Sequence, residues 1–481
     1  MDYSQFLALK QEIALFIAFL VVFVYDTFAS RKAQGALPVV SCVVMGLVTL
    51  WGFCPEVKAP AEAFSGMYAT SATMVAIKNI LNVGCLIVLI QSIKWANSEF
   101  VAVRRGEFYE LILLTLLGMY FMISSRHFLM FIIGLETASL PLCALVAFDK
   151  NRYESHEAAI KYVLTAVFSS AILLMGLSLV YGLCGTLYYD GIAAMCRANF
   201  GVMMVVGLAF VMAGFGFKIS LVPFHLWTAD VYQGAPTSVT SYLSVISKGS
   251  AAFAFLVVLT QVFGTIWAQA WEWMLYALII LTITVGNLFA MRQTNMKRFL
   301  AFSSISQAGY IMLAIVGDNA MGVSALMFYV LVYVFSNLAA FGVIGAIENA
   351  TGKVDMTDYN AMYTTNPRLS FTMMLAMFSL AGIPPFAGFF SKFFVFTSTL
   401  SQTNSAALYV LVLIALINTI ISLYYYLLVV KAMFINPSDN PLPTIKSACS
   451  ERLGMWVCVA GIIGLGIISY FYDYLLTVVN A

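Results

Sequence analysis

Four ionisable residues lie inside segments that are otherwise apolar enough to cross a membrane. They are Glu136, Lys218, Lys248 and Lys392, and a fifth, Lys161, lies closer to the end of its segment. A charge at the centre of a bilayer costs roughly 2.5 to 3.5 kcal/mol on insertion scales, so such residues usually line an ion or proton path. Amines and carboxylates also exchange protons. The residue types and their positions therefore predict proton movement across a membrane.

The composition indicates an all-α, polytopic membrane protein. Hydrophobic residues make up 62% of the 481 residues, and charged residues only 10%. Apolar runs of about 18 residues or more recur along the chain, whereas a membrane barrel would show short alternating strands. We predict about fourteen transmembrane helices, of which the first is a retained span rather than a cleaved leader. They lie near 12–28, 37–54, 74–94, 107–123, 128–148, 158–184, 201–230, 236–263, 270–290, 299–316, 320–347, 369–401, 406–434 and 453–477.

Basic residues divide unevenly between the two sides of this arrangement. One set of alternate loops holds Arg31, Lys32, Lys94, Arg104, Arg105, Lys150, Arg152, Arg292, Lys297, Arg298, Lys353, Arg368, Lys431, Lys446 and Arg452. The other set holds Lys10, Lys58, Lys78, Arg126 and Arg197. Because cytoplasmic loops carry the excess of lysine and arginine, the first side is predicted to be cytoplasmic. Both termini are then expected on the outer side.

Two predicted spans are interrupted by proline. Pro223 lies between Lys218 and His225, and the pair at 384–385 precedes Lys392. Broken helices in corresponding positions of two halves point to inverted repeats with sites near the midplane. About five spans separate the two breaks. We therefore predict three N-terminal helices over 1–100, two inverted five-helix repeats over 101–265 and 266–435, and a C-terminal helix within 436–481.

Glu136 and Lys218 are predicted to interact. Proline beside Lys218 makes room for a charge and for water. At about 7 Å and an effective dielectric near 20, the two charges would interact by roughly 2.4 kcal/mol, so breaking and re-forming the pair could gate a proton. The alternative is that Glu136 belongs to a fixed, structural ion pair.

The remaining candidates each have a structural alternative. Lys248 is flanked by Ser244, Ser247 and Ser250, which suit a hydrated track but also permit close helix packing. Lys392 and Lys161 could extend their amines toward the membrane surface instead of joining a relay. His225 could relay protons, because histidine ordinarily titrates near neutral pH, or it could cap the broken helix.

Several other functions are excluded by composition. A net charge of +2 without long basic clusters implies no nucleic-acid partner. Eight cysteines without CxxC spacing and three histidines do not supply the ligands of iron–sulfur or haem centres, and no metal site is expected. No G-x-G-x-x-G motif occurs at a strand-to-helix turn. We therefore expect no cofactor in this chain.

Five segments carry a resemblance to a known family. They are GLETASLPL at 134–142, AAIKYVLTAVFSSA at 158–171, GFGFKISLVPFHLWTADVYQGAPTSVTSYLSVISK at 214–248, KRFLAFSSISQAGY at 297–310 and SLAGIPPFAGFFSKF at 379–393. The chain resembles the antiporter-like subunits of respiratory complex I over essentially its whole length. The resemblance implies that Glu136, Lys218, Lys248 and Lys392 form a hydrated proton axis.

The same resemblance favours the N-type branch of this family. The L type would be much longer, whereas this chain ends about four residues past the last predicted span; the M type would typically carry glutamate where Lys392 stands. One departure from the pattern concerns the eleventh span, which has Ser336 and Asn337 but no lysine or histidine. There a hydroxyl, an amide and water would have to connect the two halves.

The resemblance also implies partners and a location. Electrons would pass from NADH through FMN and iron–sulfur clusters to quinone in partner subunits, while this chain moves protons. The expected partners are the other membrane and peripheral subunits, including neighbouring antiporter-like subunits, together with the lipid bilayer of a bacterial inner membrane. Two alternatives stay open: a subunit of a multi-subunit cation/proton antiporter, and a purely structural scaffold.

Overall fold

The computed structural model describes residues 3–30, 33–54, 61–198, 200–317, 320–401, 405–468 and 470–480. Arg31, Lys32 and Lys58, which contribute to the predicted charge asymmetry, lie outside the described residues. Thirteen described helices have the length and composition to cross a membrane. A further span is divided into two shorter helices at 367–400. The prediction of an all-α polytopic membrane protein is confirmed.

The N-terminal part contains three long helices and a small antiparallel hairpin in which Ala61 pairs with Thr70. Its elements are a 3-10 helix Tyr3–Leu9, α1 (Lys10–Phe28), a 3-10 helix Ala33–Ala36, α2 (Leu37–Gly52), β1 (Ala61–Ala63), β2 (Tyr68–Thr70) and α3 (Ala72–Ala96).

The assignment of Lys78 to an outer loop is wrong. Lys78 lies inside α3 with a fully buried side chain, and its Nζ is 2.6 Å from Glu12 Oε1 on α1. Tyr68, on the hairpin, donates to the other oxygen of Glu12 at 2.8 Å. A lysine near the end of an apolar run looks like a flanking residue in sequence. Here a buried carboxylate from a distant helix compensates its charge.

A first group of helices follows in chain order. It consists of a 3-10 helix Ala102–Arg104, α4 (Arg105–Ser124), α5 (Phe128–Val146), α6 (Tyr153–Cys184), α7 (Tyr189–Ala198), α8 (Val202–Ile219), α9 (Leu226–Gly234), α10 (Thr237–Tyr242), a π-helical turn Leu243–Ser247, α11 (Lys248–Val257) and a π-helical turn Val258–Val262. The stretch from α10 to the second π-helical turn is one continuous span.

A second group repeats this order after a short connection formed by Gly264–Ile266 and Trp267–Trp271. It consists of α12 (Glu272–Ala290), α13 (Met296–Val316), α14 (Ala320–Thr351), a 3-10 helix Met356–Tyr359, α15 (Met362–Thr365), α16 (Pro367–Ala381), α17 (Ala387–Leu400) and α18 (Ala406–Phe434).

The C-terminal part differs from the predicted last span at 453–477. Helix α19 (Cys449–Ile467) ends ten residues earlier than that prediction, and a separate helix, α20 (Phe471–Asn480), follows it. Helix α19 packs against α3 and α14. The N-terminal helices are thereby joined to the second group.

The two groups pack their helices in the same order. In the first, α4 contacts α5 and α11, α5 contacts α6, and α6 contacts both α8 and α9. In the second, α12 contacts α13 and α18, α13 contacts α14, and α14 contacts both α16 and α17. In each group the third helix therefore contacts both parts of the broken fourth helix.

Both broken helices end their first part in the same backbone conformation. Helix α8 is followed by Ser220 with φ 68°, and α16 is followed by Gly382 with φ 86°. These are left-handed conformations, which terminate a helix and which glycine adopts most readily. The chain then turns through Pro223 in the first group and through residues 384–385 in the second. The predicted breaks are therefore present where proline marks them.

Close approach of α4 and α5 positions the helix that carries Glu136. A Cβ atom at Gly118 would overlap the backbone of Ala138, and a Cβ at Gly134 would lie 2.8 Å from the carbonyl oxygen of Gly118. Small residues allow membrane helices to pack at this distance. Substitution of either glycine would push α5 away from α4.

Candidate functional site

Lys218 reaches the helix of Glu136 through a hydroxyl. Lys218 is in the last turn of α8, and its Nζ donates to Ser139 Oγ on α5 at 2.5 Å. Ser139 follows Glu136 by three residues, so the two share a face of α5. Within the described part of the chain, no direct ion pair joins Glu136 to Lys218. The geometry places the two residues in one local cluster, with Ser139 as the contact.

Lys248 contacts the second group of helices. Its side chain is 2% exposed, and Nζ donates to Ser304 Oγ on α13 at 2.7 Å. The ammonium also lies 5.4 Å from the centre of the Tyr232 ring, a distance suited to a cation–π contact. Two serines of its own span donate to backbone carbonyls instead: Ser250 to that of Ser247, and Ser244 to that of Ser241. Lys248, which lies in the first group, thus forms a hydrogen bond with the second group.

Lys392 folds back onto the end of the preceding half-helix. Its Nζ donates to the carbonyl oxygens of Leu380 at 3.1 Å and Ala381 at 3.0 Å, in the last turn of α16. The last carbonyls of a helix lack intrahelical partners and carry partial negative charge, which favours a cation there. Lys392 is 4% exposed and lies 5.1 Å from the ring centre of Tyr310. It is held inside the protein rather than extended toward the membrane surface.

A small cavity borders Lys392. Its volume is about 10 Å³, which is about the space required by one water molecule. Its polar lining includes Gln307, Tyr333, Ser336, Ser391 and Lys392. The site can therefore hold a water between the amine and neighbouring hydroxyl groups.

Ser336 and Asn337 on α14 face opposite neighbours. The hydroxyls of Ser336 and Ser379 on α16 are 2.7 Å apart. Asn337 Nδ2 donates to Ser244 Oγ at 2.7 Å, in the span that carries Lys248. Adjacent residues of one helix thus contact the Lys248 span on one side and, on the other, the half-helix α16, whose last carbonyls accept from Lys392. A hydroxyl and an amide make these contacts in the absence of a lysine or histidine.

Gln307 is a polar residue that sequence reasoning missed. Its Nε2 donates to the Leu380 carbonyl at 3.3 Å and to the Tyr426 hydroxyl at 3.0 Å, and Tyr329 donates to its Oε1. Lys392 and Gln307 therefore share the Leu380 carbonyl as an acceptor. The available signal was the set of polar residues at 303, 304, 306 and 307, which interrupts the long apolar run of α13.

Lys161 lies in an ion-pair cluster that joins the two groups. Its Nζ is 2.6 Å from Asp230 Oδ2 and 2.7 Å from Glu157 Oε1. Arg298, at the start of α13, contacts the other oxygen of Asp230 at 2.6 Å. The Lys161 side chain is 41% exposed, unlike the buried amines of Lys248 and Lys392. Asp230 was not singled out in sequence, because it lies near the end of a broken span where a charge is ordinary.

His225 is the residue before α9 and is 8% exposed. Its Nδ1 is buried, and no hydrogen-bond partner for this atom lies among the described residues. Its backbone carbonyl accepts from Thr228 at 3.0 Å, in the first turn of the half-helix. The side chain does not cap α9. The structure thus leaves this nitrogen available to a water.

A larger cavity lies between α3, α10, α14 and α19. It measures about 440 Å³ and contains Thr237, Ser241 and Glu348 in its lining. Glu348 accepts from Arg152 at 2.8 Å, from Lys297 at 3.3 Å and from Thr237. Ser244 lies one turn beyond Ser241 and donates to its carbonyl at 2.8 Å. We call this space the Glu348 cavity; it extends toward the span that carries Lys248.

Metal-ligand chemistry has no support in this arrangement. In the described ranges, no three His, Cys, Asp or Glu side chains are grouped so that they could hold a metal ion. The polar groups that are brought together are amines, hydroxyls, amides and carboxylates. All of these groups form hydrogen bonds, and the amines and carboxylates among them can also exchange protons.

Comparisons with known proteins show which family this chain resembles. The family described as "NADH:quinone oxidoreductase/Mrp antiporter, TM" matches residues 125–422. NADH-quinone oxidoreductase subunit N of Azobacteroides pseudotrichonymphae is 50% identical over 99% of this chain and 98% of that protein. Subunit N of Phocaeicola vulgatus is 49% identical, with 99% of each chain covered.

A solved structure has the same fold. A chain of respiratory complex I from Thermus thermophilus superposes with a TM-score of 0.80 and 30% sequence identity, covering 97% of this chain and 98% of that one. The family match, the full-length identity and the shared fold all indicate one assignment. The chain belongs to the NADH-quinone oxidoreductase subunit N family of antiporter-like membrane proteins.

Proposed function

We propose that this chain is a proton-translocating membrane subunit of an NADH:quinone oxidoreductase. One observation carries the proposal: Lys218, Lys248 and Lys392 are each held inside membrane spans by hydroxyl or carbonyl acceptors rather than by carboxylates. A permanently charged amine in such a setting is unfavourable, whereas an amine that gains and loses a proton fits a relay. The chain is then one part of an enzyme whose electron transfer occurs in other subunits.

We propose that protons are taken up through the Glu348 cavity. The excess of basic loop residues supports our proposal that this end of the protein faces the cytoplasm and that both termini face the periplasm. The path would lead past Ser241 and Ser244 to Lys248, with Asn337 fixing the Ser244 hydroxyl. Water in the cavity would carry the proton over the first part of this distance, because a backbone carbonyl only accepts hydrogen bonds.

From Lys248 the proposed relay crosses to the second group of helices. Ser304 accepts from Lys248, and Gln307 lies one turn along the same face of α13. Gln307 and Lys392 meet at the Leu380 carbonyl, and the small cavity beside Lys392 has room for a water. Release to the periplasm, or transfer to a neighbouring antiporter-like subunit, would follow from Lys392.

Glu136 and Lys218 are proposed to control this relay from the other end of the first repeat. The Ser139 hydroxyl holds Lys218 beside the face of α5 that carries Glu136. Movement of the broken helix would lengthen or shorten the distance between the two charges and so change their interaction. His225 and Lys161 are proposed as secondary members, with His225 Nδ1 acting through water.

We further propose how the chain is divided, which partner subunits it has and in which membrane it lies. The two repeats would span 101–265 and 266–435, with three long helices over 1–100 and, within 436–481, one membrane-spanning helix followed by a short helix. Partner subunits would carry FMN and iron–sulfur clusters, pass electrons from NADH to quinone, and drive this chain through the neighbouring membrane subunits. The assembly would lie in a bacterial inner membrane.

Substitution of Lys218 tests the proposal in purified complex reconstituted into vesicles. Lys218→Ala is expected to assemble but to depress proton pumping and the quinone reductase activity coupled to it. Lys218→Arg should also impair pumping, because a guanidinium does not release its proton near neutrality. Exposed Lys431→Gln serves as a control for loss of a charge. Normal pumping by an assembled Lys218→Ala complex would reject the role of Lys218.

A subunit of a multi-subunit cation/proton antiporter is the second candidate, because the matched family includes Mrp antiporters. The 50% full-length identity to a subunit N favours the oxidoreductase. Isolation of the native assembly separates the two. Co-purification with flavin- and iron–sulfur-containing chains supports the oxidoreductase, and an assembly that contains antiporter subunits alone supports exchange.

A further inference from the structure

A groove lies between the start of α16 and the outer face of α19. The segment 444–447 lines one edge of this groove, and the volume of the groove is about 630 Å³. We call it the α16–α19 groove. Its lining residues are Thr365, Asn366, Pro367, Arg368, Leu369, Phe371, Thr372, Leu375, Thr444, Ile445, Lys446, Ser447, Arg452, Met455, Trp456 and Val459.

Three cations at the mouth of this groove have no counter-ion among the residues that the structure describes. Arg368, Lys446 and Arg452 are exposed, and none of them makes an ion pair or side-chain hydrogen bond within the described part of the chain. The groove lining contains no aspartate or glutamate. Lys161 and Arg298, which are also basic residues at this side of the protein, pair with Asp230 instead. The groove mouth is therefore a site of concentrated, uncompensated positive charge.

The walls below these cations are apolar and face outward. Phe371 is 46% exposed and Trp456 68% exposed, and Leu375 and Val459 continue the two walls. At a rise of 1.5 Å per residue, Leu375 lies roughly 12 Å along α16 from its first residue. The groove thus combines a basic mouth with an apolar channel that runs toward the membrane interior. A tryptophan beside the mouth is typical of the membrane interface.

Asn366 fixes the shape of the groove. Its Nδ2 donates to the carbonyl of Pro443 at 3.0 Å, and its Oδ1 accepts from the backbone N–H of Ile445 at 2.8 Å. Both bonds hold the segment that carries Lys446 across the start of α16. Asn366 is only 6% exposed. Lys446 is therefore held near Arg368 by a preformed backbone arrangement.

We propose that the α16–α19 groove binds an anionic phospholipid. The phosphate would contact Arg368, Lys446 and Arg452, and the acyl chains would lie along the walls formed by Phe371 and Trp456. Basic pockets between membrane helices on the cytoplasmic side bind anionic head groups in this way. A free phosphate ion would leave the apolar walls exposed, and a zwitterionic lipid would bring its own cation to the mouth. A lipid with two phosphates matches three cations best.

Lipid retention by the intact complex tests this proposal. The triple variant Arg368→Gln, Lys446→Gln, Arg452→Gln is compared with the control Lys150→Gln, Arg292→Gln, Lys431→Gln, which removes the same charge from exposed positions elsewhere. Native mass spectrometry after washing with zwitterionic detergent counts the bound lipids. We expect the groove variant to bind one anionic phospholipid about a hundredfold more weakly, roughly fivefold per cation, and the control to match wild type. Equal retention by all three proteins would overturn the proposal.

A photocrosslinking measurement keeps the proposal testable if the triple variant does not assemble. A photoreactive phenylalanine analogue at Trp456 leaves all three cations in place. Irradiation of the complex in vesicles of mixed anionic and zwitterionic lipid should give an adduct with the mass of an anionic phospholipid. An adduct with a polypeptide, or with zwitterionic lipid in proportion to its abundance, would overturn the proposal. Neither measurement depends on proton pumping, so the result is independent of the proposed function.

Discussion

Lys248 on α11 donates a hydrogen bond to Ser304 on α13, so the buried lysine of the first group of helices is attached to the second. The contact crosses the boundary between the two proposed repeats. A change in the charge of Lys248 would therefore act directly on α13, a helix whose membrane-spanning stretch is entirely buried. The relation between these two residues connects proton occupancy in one repeat with side-chain positions in the other.

Removal of the Ser304 hydroxyl should impair pumping without loss of the subunit. Ser304→Ala leaves the Lys248 amine without its acceptor. A buried donor without a partner lowers the stability of the folded protein by about 1 to 3 kcal/mol. Ser306→Ala is the matched control, because the Ser306 hydroxyl is buried and has no partner in the described structure. The initial rate of vesicle acidification should fall for Ser304→Ala alone. Equal rates for the two variants would show that this contact is dispensable.

Three substitutions of Lys392 distinguish two roles for this residue: hydrogen bonding to the last carbonyls of α16, and proton transfer. Arginine can still donate to the Leu380 and Ala381 carbonyls but does not release a proton, so Lys392→Arg should assemble and pump poorly. Lys392→Glu should retain part of the activity, because a protonated carboxyl can donate to one carbonyl and still exchange protons. Lys392→Ala should lose more. Full pumping by Lys392→Arg, or equal losses for alanine and glutamate, would assign Lys392 a structural role.

Loss of the Asp230 charge should lower pumping and thermal stability more than loss of the exposed Glu157–Lys161 pair. Asp230→Asn removes the charge that contacts Lys161 and Arg298 on opposite repeats. Glu157→Gln removes only the exposed pair with Lys161, four residues away on α6, which is worth about 0.3 to 0.5 kcal/mol. Pumping and thermal stability of the complex should fall for Asp230→Asn and stay near wild type for Glu157→Gln. The reverse order would contradict the bridging role of Asp230.

The buried pair of Glu12 and Lys78 should behave as a unit. Lys78→Met alone leaves the Glu12 carboxylate buried and unpaired, a change that typically destabilises by about 3 to 5 kcal/mol. The double variant Glu12→Gln, Lys78→Met removes both charges and should recover much of the loss. The amount of assembled complex and its unfolding temperature measure the stability of the single and the double variant. A double variant as unstable as the single one would indicate that the pair is not coupled.

The sequence predicted the spans and the helix breaks well, because both depend on local properties. Long apolar runs define the spans, and proline at 223 and 384–385 marks the interruptions. Lys78 was misplaced since its compensation comes from Glu12, 66 residues away. Periodicity and composition contain no information about such a distant partner. The break after Ile467 was also missed, because no proline marks it.

The partners of the candidate residues could not be predicted in the same way. Glu136 and Lys218 were expected to interact directly, but the structure puts Ser139 next to the amine. Lys248 has serines on its own helix, yet its acceptor is Ser304 on another. Which hydroxyl faces an amine depends on the rotation of packed helices, and that rotation is set by tertiary contacts. The roles of these residues in proton transfer stay predictions.

Proton pumping by a Lys248→Gln variant tests the central claim most directly. Complex that contains the variant is reconstituted into vesicles beside wild type and Lys431→Gln, and the initial rate of acidification is measured with NADH and quinone at matched amounts of assembled enzyme. A relay through Lys248 predicts a rate at least about tenfold lower than that of both comparison proteins, the scale expected when a proton-transferring group is lost. Wild-type acidification by the fully assembled Lys248→Gln complex would contradict it.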